Sequence, residues 1–309
     1  MVRHAAERYV VSRGLDPTPV STHRVALERW SAGAPGRGGR LTSVLCQATG
    51  MDDFYGDLAH DYEWLFPDET VGRVGRFGAT SPGSQALLEA VVKTLSPGDP
   101  VLDCACGIGS DAMALARAGL VVTATDGSHA MVDETRRRSE RYGISMTVAQ
   151  SKWQELPNRV SGPFELVLCL GNSLVHTETR TNRIAALEGM KKVLSPAGTL
   201  VVDSRNWELL YESRPRIVPA RQVIERNGLR CSSLYIWTIP DDFESPCTAE
   251  IVLLFEDAEG RTSYRRHVIE FVPFRHADLT DTIRAAGFTI RDDSYQPANN
   301  FYAIVAAAT

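Results

Sequence analysis

The chain has 309 residues, 43% hydrophobic and 23% charged, and its 38 acids against 33 Lys and Arg leave a net charge of -5. That length supplies one large buried core in one or two domains, and the acidic balance gives no electrostatic reason for a nucleic-acid or anionic-membrane partner. No run of eighteen apolar residues and no signal-peptide pattern occurs, so a soluble, cytoplasmic protein is expected.

The first fifty residues hold seven arginines against Glu7, Asp16 and Glu28, and the Gly- and Arg-rich stretch 31–40 cannot bury enough apolar surface to order itself. Residues 1–50 read as a disordered tail, as sequence ahead of a true start at Met51, or as an Arg-rich transit peptide. Residues 51–309 then form the folded domain. Cys46, Cys104, Cys106, Cys169, Cys231 and Cys247 lie mostly in apolar runs and read as reduced packing residues. Cys104 and Cys106 lack a second Cys or His pair at zinc spacing, so no metal site is expected.

From residue 81 the pattern alternates. A helix is expected over 85–95, then strand 101–104, helix 110–118, strand 120–125, helix 129–141 and strand 144–149. A loop from Pro157 to Pro163 precedes strand 165–170, helix 181–194 and strand 199–203. Such alternation means parallel strands joined by crossover helices in an α/β, doubly wound Rossmann-like sheet. After 215 the pattern changes to extended runs at 216–226, 230–238, 248–256 and 262–272, with a hairpin signal at 256–260. The section 211–272 reads as an antiparallel β insertion that lids the cleft. Helix 277–286 and strands 288–292 and 301–306 close the sheet.

The run Val101-Leu102-Asp103-Cys104-Ala105-Cys106-Gly107-Ile108-Gly109 takes an apolar strand into a glycine turn and a helix, the geometry that wraps a small cofactor. Dinucleotide-binding folds open the same way. Asp103 discriminates, because a carboxylate repels a pyrophosphate but attracts the ammonium and sulfonium of S-adenosylmethionine. Asp126 ends the next strand, where an acid can accept hydrogen bonds from both ribose hydroxyls; both cofactor classes use an acid there. Asn172 and Arg205 fall at later strand ends, where ligands of such sheets gather.

The stretches VLDCACGIGSDAMALARAGLVVTATDGSHAM (101–131), LCLGNSLVH (168–176) and VVDSRNW (201–207) closely resemble the glycine N-methyltransferase group of class I S-adenosylmethionine-dependent enzymes. By position, the resemblance implies that Ala105, Gly107 and Gly109 approach the methionine portion and that Asp126 holds the ribose. It also implies that Met131 and Trp153 border the adenine, and that Leu170 and His176 contact the cofactor. The segment Phe54 to Trp64 resembles the family's aromatic arm, with Tyr55 and Trp64 at cofactor-contacting positions and Arg73 or Arg76 as its arginine. Arg205 would grip an acceptor carboxylate and Asn172 would orient the same molecule; an ion pair with Asp203 is the other use of Arg205.

Positions 216–272 carry only Tyr235 and Tyr264, fewer tyrosines than the animal glycine enzymes place around the amine. The acceptor pocket is therefore expected to be more apolar than one built for free glycine. The expected activity is S-adenosylmethionine-dependent N-methylation of a small carboxylate-bearing amine, with homo-oligomer and monomer both open. O- or C-methylation of a small acid and a non-catalytic cofactor-binding regulator fit the same motifs.

Overall fold

The computed structural model describes residues 55–66, 82–220 and 222–309. The tail reading of residues 1–50 and the candidates Arg73 and Arg76 lie outside the described residues. Eight helices are described: α1 (Gly56–Ala59), α2 (Pro82–Val92), α3 (Ser110–Arg117), α4 (His129–Arg141), α5 (Leu156–Arg159), α6 (Arg180–Val193), α7 (Trp207–Ser213) and α8 (His276–Ala285).

A seven-stranded sheet carries the fold. Its core is β1 (Pro100–Asp103), β2 (Val121–Asp126), β3 (Thr147–Gln150), β4 (Phe164–Cys169) and β5 (Leu194–Arg205), which pair in parallel with one another. β11 (Phe288–Asp293) and β12 (Phe301–Ala308) complete it antiparallel, in the order β11-β12-β5-β4-β1-β2-β3. Central strands buried on both faces need apolar residues in succession, and side chains alternate between two cores. Leu102, Val167, Cys169 and Val202 face the side of α6 and α8. Val101, Leu166, Leu168 and Val201 face the side of α2 and α3.

The insertion is a second, antiparallel sheet: β6 (Ile217–Pro219), β7 (Ile224–Arg226), β8 (Leu229–Thr238), β9 (Cys247–Glu256) and β10 (Thr262–Phe271), ordered β10-β9-β8-β6 with β7 on β8. Asp257 and Gly260 close the β9–β10 hairpin where it was expected. The inner face of this sheet, including Cys231, Ile251, Leu253, Phe255 and Ile269, packs on Leu58 of α1.

The structure corrects four local expectations. The first long helix runs from Pro82, three residues earlier than expected, because proline suits a helix's first turn. The expected loop at 157–163 begins inside a helical turn, α5, with Pro157 in its first turn. β5 is twelve residues long rather than five. The section expected to be antiparallel from 211 opens inside a helix: Asn206 Oδ1 accepts from Leu209 N at 3.1 Å and caps α7, which runs to Ser213, so the antiparallel strands start only at β6. Among the described residues, no helix is long and apolar enough to cross a membrane.

Candidate functional site

A cavity of about 300 Å³ opens at the carboxyl ends of β1, β2 and β4. Its floor is the glycine turn. Gly107, at φ +52°, lines it, and a Cβ built there meets no atom within 4 Å, so any side chain would occupy ligand space. The Gly107 N–H donates to Asp126 Oδ2 and the Ser128 N–H to Asp126 Oδ1, each at 2.9 Å. One carboxylate thus fixes the turn and the start of α4 while facing the cavity. Ala105, Met131, Trp153, Leu170 and His176 also line it. Trp153 is held against the wall by its Nε1–H, which donates to the Cys104 carbonyl at 2.7 Å.

Three expected cofactor contacts fall elsewhere. Gly109 (φ +77°) caps α3 and does not line the cavity; a Cβ there would meet Thr135 Cγ2 at 2.7 Å, so glycine is required by the approach of α4. Asp103 is 2% exposed beneath the turn, where it accepts from Ala105 N at 3.3 Å. Burial, with Asp111 nearby, pushes its carboxyl well above the usual range. The counter-charge expected from Asp103 is supplied to the cavity by Asp111, Asp126 and Glu178, with Lys152 opposite in sign. Trp64 lies on the insertion sheet, edge-on to Phe255 at 5.2 Å and 5.3 Å from the Arg226 guanidinium.

The aromatic that accompanies Tyr55 is Tyr62, not Trp64. A short helix followed by a 3₁₀ turn sets 55 and 62 on one face, where their rings meet edge-to-face at 6.2 Å and both line the cavity. The arm is anchored by Asp61, 3% exposed, which pairs with Arg265 and with His267 Nε2 (2.9 Å) on β10. Tyr55 Oη lies 2.8 Å from His176 Nε2. The His176 imidazole also meets the Glu270 backbone, which joins the pair to β10. Burial lowers the His176 pKa to about 4, leaving a neutral imidazole at pH 7. Burial and the Asp126 charge push the Tyr55 hydroxyl well up, so it stays protonated.

Beyond the Leu170–Gly171–Ser173 rim, β4 and β5 are stitched together by Asn172. Its N–H donates to Asp203 Oδ1 at 2.7 Å, and its Oδ1 accepts from Arg205 N at 2.9 Å. Asp203 is 3% exposed and burial raises its carboxyl to about 7. It caps the Gly171–Asn172 backbone and does not pair with Arg205. The Arg205 guanidinium lies instead between two rings, 4.5 Å from Phe301 and 5.2 Å from Trp237. Desolvation brings its pKa down to about 10, so it remains charged at pH 7. Among the described residues no carboxylate pairs with it. Neither Asn172 nor Arg205 lines the cavity itself, although both neighbours of Asn172 do.

Residues 101–198 match a family model described as a methyltransferase domain. Glycine N-methyltransferase of Mus musculus is 32% identical over 269 residues, covering 80% of this chain and 86% of the mouse protein. The chain belongs to the glycine N-methyltransferase family of class I S-adenosylmethionine-dependent methyltransferases. The glycine/sarcosine N-methyltransferase of Aphanothece halophytica is 31% identical over 126 residues, which cover 40% of this chain and 48% of that protein, so the match spans about half of that relative's length. An S-adenosylmethionine-dependent methyltransferase from Clostridium acetobutylicum shares the fold, with a TM-score of 0.61 at 16% identity over 82% of this chain and 98% of that one.

Within this glycine N-methyltransferase family member, sequence reasoning missed Tyr62, Asp111, Glu178 and Asn182 as cavity residues. Asp111 carries a signal, an acid in the first turn of the helix that follows the glycine turn. Glu178 and Asn182 carry none, because only the fold of the 173–182 segment brings them to the rim.

Proposed function

We propose that this chain moves the methyl group of S-adenosylmethionine to the amine nitrogen of a small acceptor that carries a carboxylate. The observation that carries this reading is Arg205, a guanidinium desolvated enough to lower its pKa and without an acid partner among the described residues. A cation shielded from water between rings is costly unless paired, and a ligand carboxylate would supply the missing partner.

The residues present fit the cofactor. The Asp126 carboxylate faces the cavity where ribose hydroxyls would lie, Met131 and Trp153 offer apolar walls, and Gly107 leaves room where a side chain would collide. The acids Asp111, Asp126 and Glu178 suit a cationic donor. S-adenosylmethionine supplies an electrophilic methyl on sulfur, which an amine lone pair takes while the carbon–sulfur pair stays on sulfur and one amine proton goes to water. Arg205 and Asn172 would hold the acceptor at the rim beside Gly171 and Ser173. Tyr55 and His176 form a neutral hydrogen-bonded wall that excludes water, so the residues contribute alignment above all.

Incubating the protein with methyl-labelled cofactor and glycine, sarcosine, dimethylglycine, larger amino acids and hydroxy acids, then weighing the products, tests this. Label on the nitrogen of a carboxylate-bearing amine is expected. Label on oxygen or carbon, or cofactor binding with no transfer to any acceptor, would contradict it.

A further inference from the structure

Helix α4 presents residues 131, 135 and 138 along one face. Met131 lines the cavity, and the other two reach the underside of the glycine turn. Thr135 Oγ1 donates to the Gly107 carbonyl at 2.6 Å. Arg138 Nη1 donates to the Ile108 carbonyl at 2.7 Å and to Ser110 Oγ at 3.0 Å. Arg138 is 2% exposed and its Nε has no hydrogen-bond partner. Its acidic neighbour Glu134 is tied to Arg137 by two hydrogen bonds. Arg138 lies 6.0 Å from the Tyr142 ring as well, so one buried cation joins that ring to Ser110 and to a backbone carbonyl of the turn.

We propose that Thr135 and Arg138 are positioning residues for the methyl donor: they hold two successive carbonyls of the turn away from the cavity. That orientation leaves the Gly107 N–H to Asp126 and keeps the cavity side of the turn clear for the donor. Charge assistance makes the Arg138 bond the stronger of the two. Without these donors the Ile108 carbonyl would lose its charged partner and the Gly107 carbonyl would keep only the weak Cys106 thiol at 3.6 Å, and the turn would rotate to reach others. The inference rests on the assignment of this cavity to S-adenosylmethionine.

The test is titration calorimetry with S-adenosylmethionine on the wild type and on Arg138→Met, Arg138→Lys, Thr135→Val and Thr135→Ser. Each variant's melting is recorded without cofactor, and its acceptor KM at saturating cofactor. Arg138→Met is expected to bind about tenfold more weakly and Thr135→Val about threefold. Arg138→Lys and Thr135→Ser, which keep a donor, should return to within about twofold of the wild type, and acceptor KM should not move. A purely structural role would lower melting without this split between cofactor and acceptor, or without rescue by the conservative changes. If Arg138→Met does not fold, the Thr135 pair decides. Unchanged cofactor affinity in Thr135→Val and Arg138→Met overturns the inference. Absence of binding to the wild type overturns instead the reading beneath it.

Discussion

The two walls of the cleft are made differently. On the cofactor side the polar contacts join side chains to backbone within one stretch of βαβ chain: Asp126 to Gly107 and Ser128, Thr135 to Gly107, Trp153 to Cys104. On the proposed acceptor side, the rings of Trp237 and Phe301 flank the Arg205 guanidinium, and Phe271 joins Trp237 to Trp207 behind them. A wall defined by backbone admits little variation and recognises one ligand. A wall of side chains changes its ligand when a side chain changes.

The sharpest break in that comparison is at Asp126. Asp126→Ala removes the partner of two backbone N–H groups and the ribose acceptor together, and should weaken S-adenosylmethionine binding roughly a thousandfold, about 4 kcal/mol. Calorimetry measures this, and a loss below tenfold would mean that the ribose is held elsewhere. Next, Arg205→Ala should lower acceptor kcat/KM about a hundredfold while leaving cofactor affinity within about twofold. Cofactor affinity falling in step would merge the two walls into one.

A third effect is on stability against pH. An unfolded histidine takes up its proton near pH 6.5, whereas folded His176 refuses it until about 4. Protonation then favours the unfolded chain as pH falls, and stability declines from about 6.5 to about 4, by on the order of 3 kcal/mol. Asp203 has the opposite sign, since a carboxyl raised to about 7 loses its stabilising contribution as pH rises towards 7. Comparing wild type with His176→Gln by denaturant unfolding at pH 7 and 4.5 isolates the histidine: the variant should lose less on acidification. The smallest effect is at Trp64. Trp64→Leu should cost about 1 kcal/mol of stability through lost packing on Phe255, with cofactor affinity within about twofold.

The parallel sheet and the glycine turn were legible because their signals are local. Apolar strands, an acid at a strand end and Gly-x-Gly are properties of a few consecutive residues. Trp64 misled because the arm's two short turns, α1 and the 3₁₀ segment after it, do not keep one helical phase, and the residue at 62 rather than 64 shares the face of Tyr55. Asp103 misled because a strand's last side chain can point beneath the turn that follows it, and only the fold decides. Phe301 and Trp237 carried no signal, since strands from the end of the chain and from the insertion bring them to Arg205. Helix α7 was hidden because Asn206 reads equally as a strand end and as a cap.

The central claim is that Arg205 reads a carboxylate on the acceptor, and a cycle between protein and substrate tests it most directly. kcat/KM is measured for the best amine acceptor and for its carboxamide, each with the wild type and with Arg205→Ala. Removing the carboxylate or the guanidinium alone should each cost about a hundredfold, and removing both should cost little more than either. Losses that multiply independently would show that the two groups never meet.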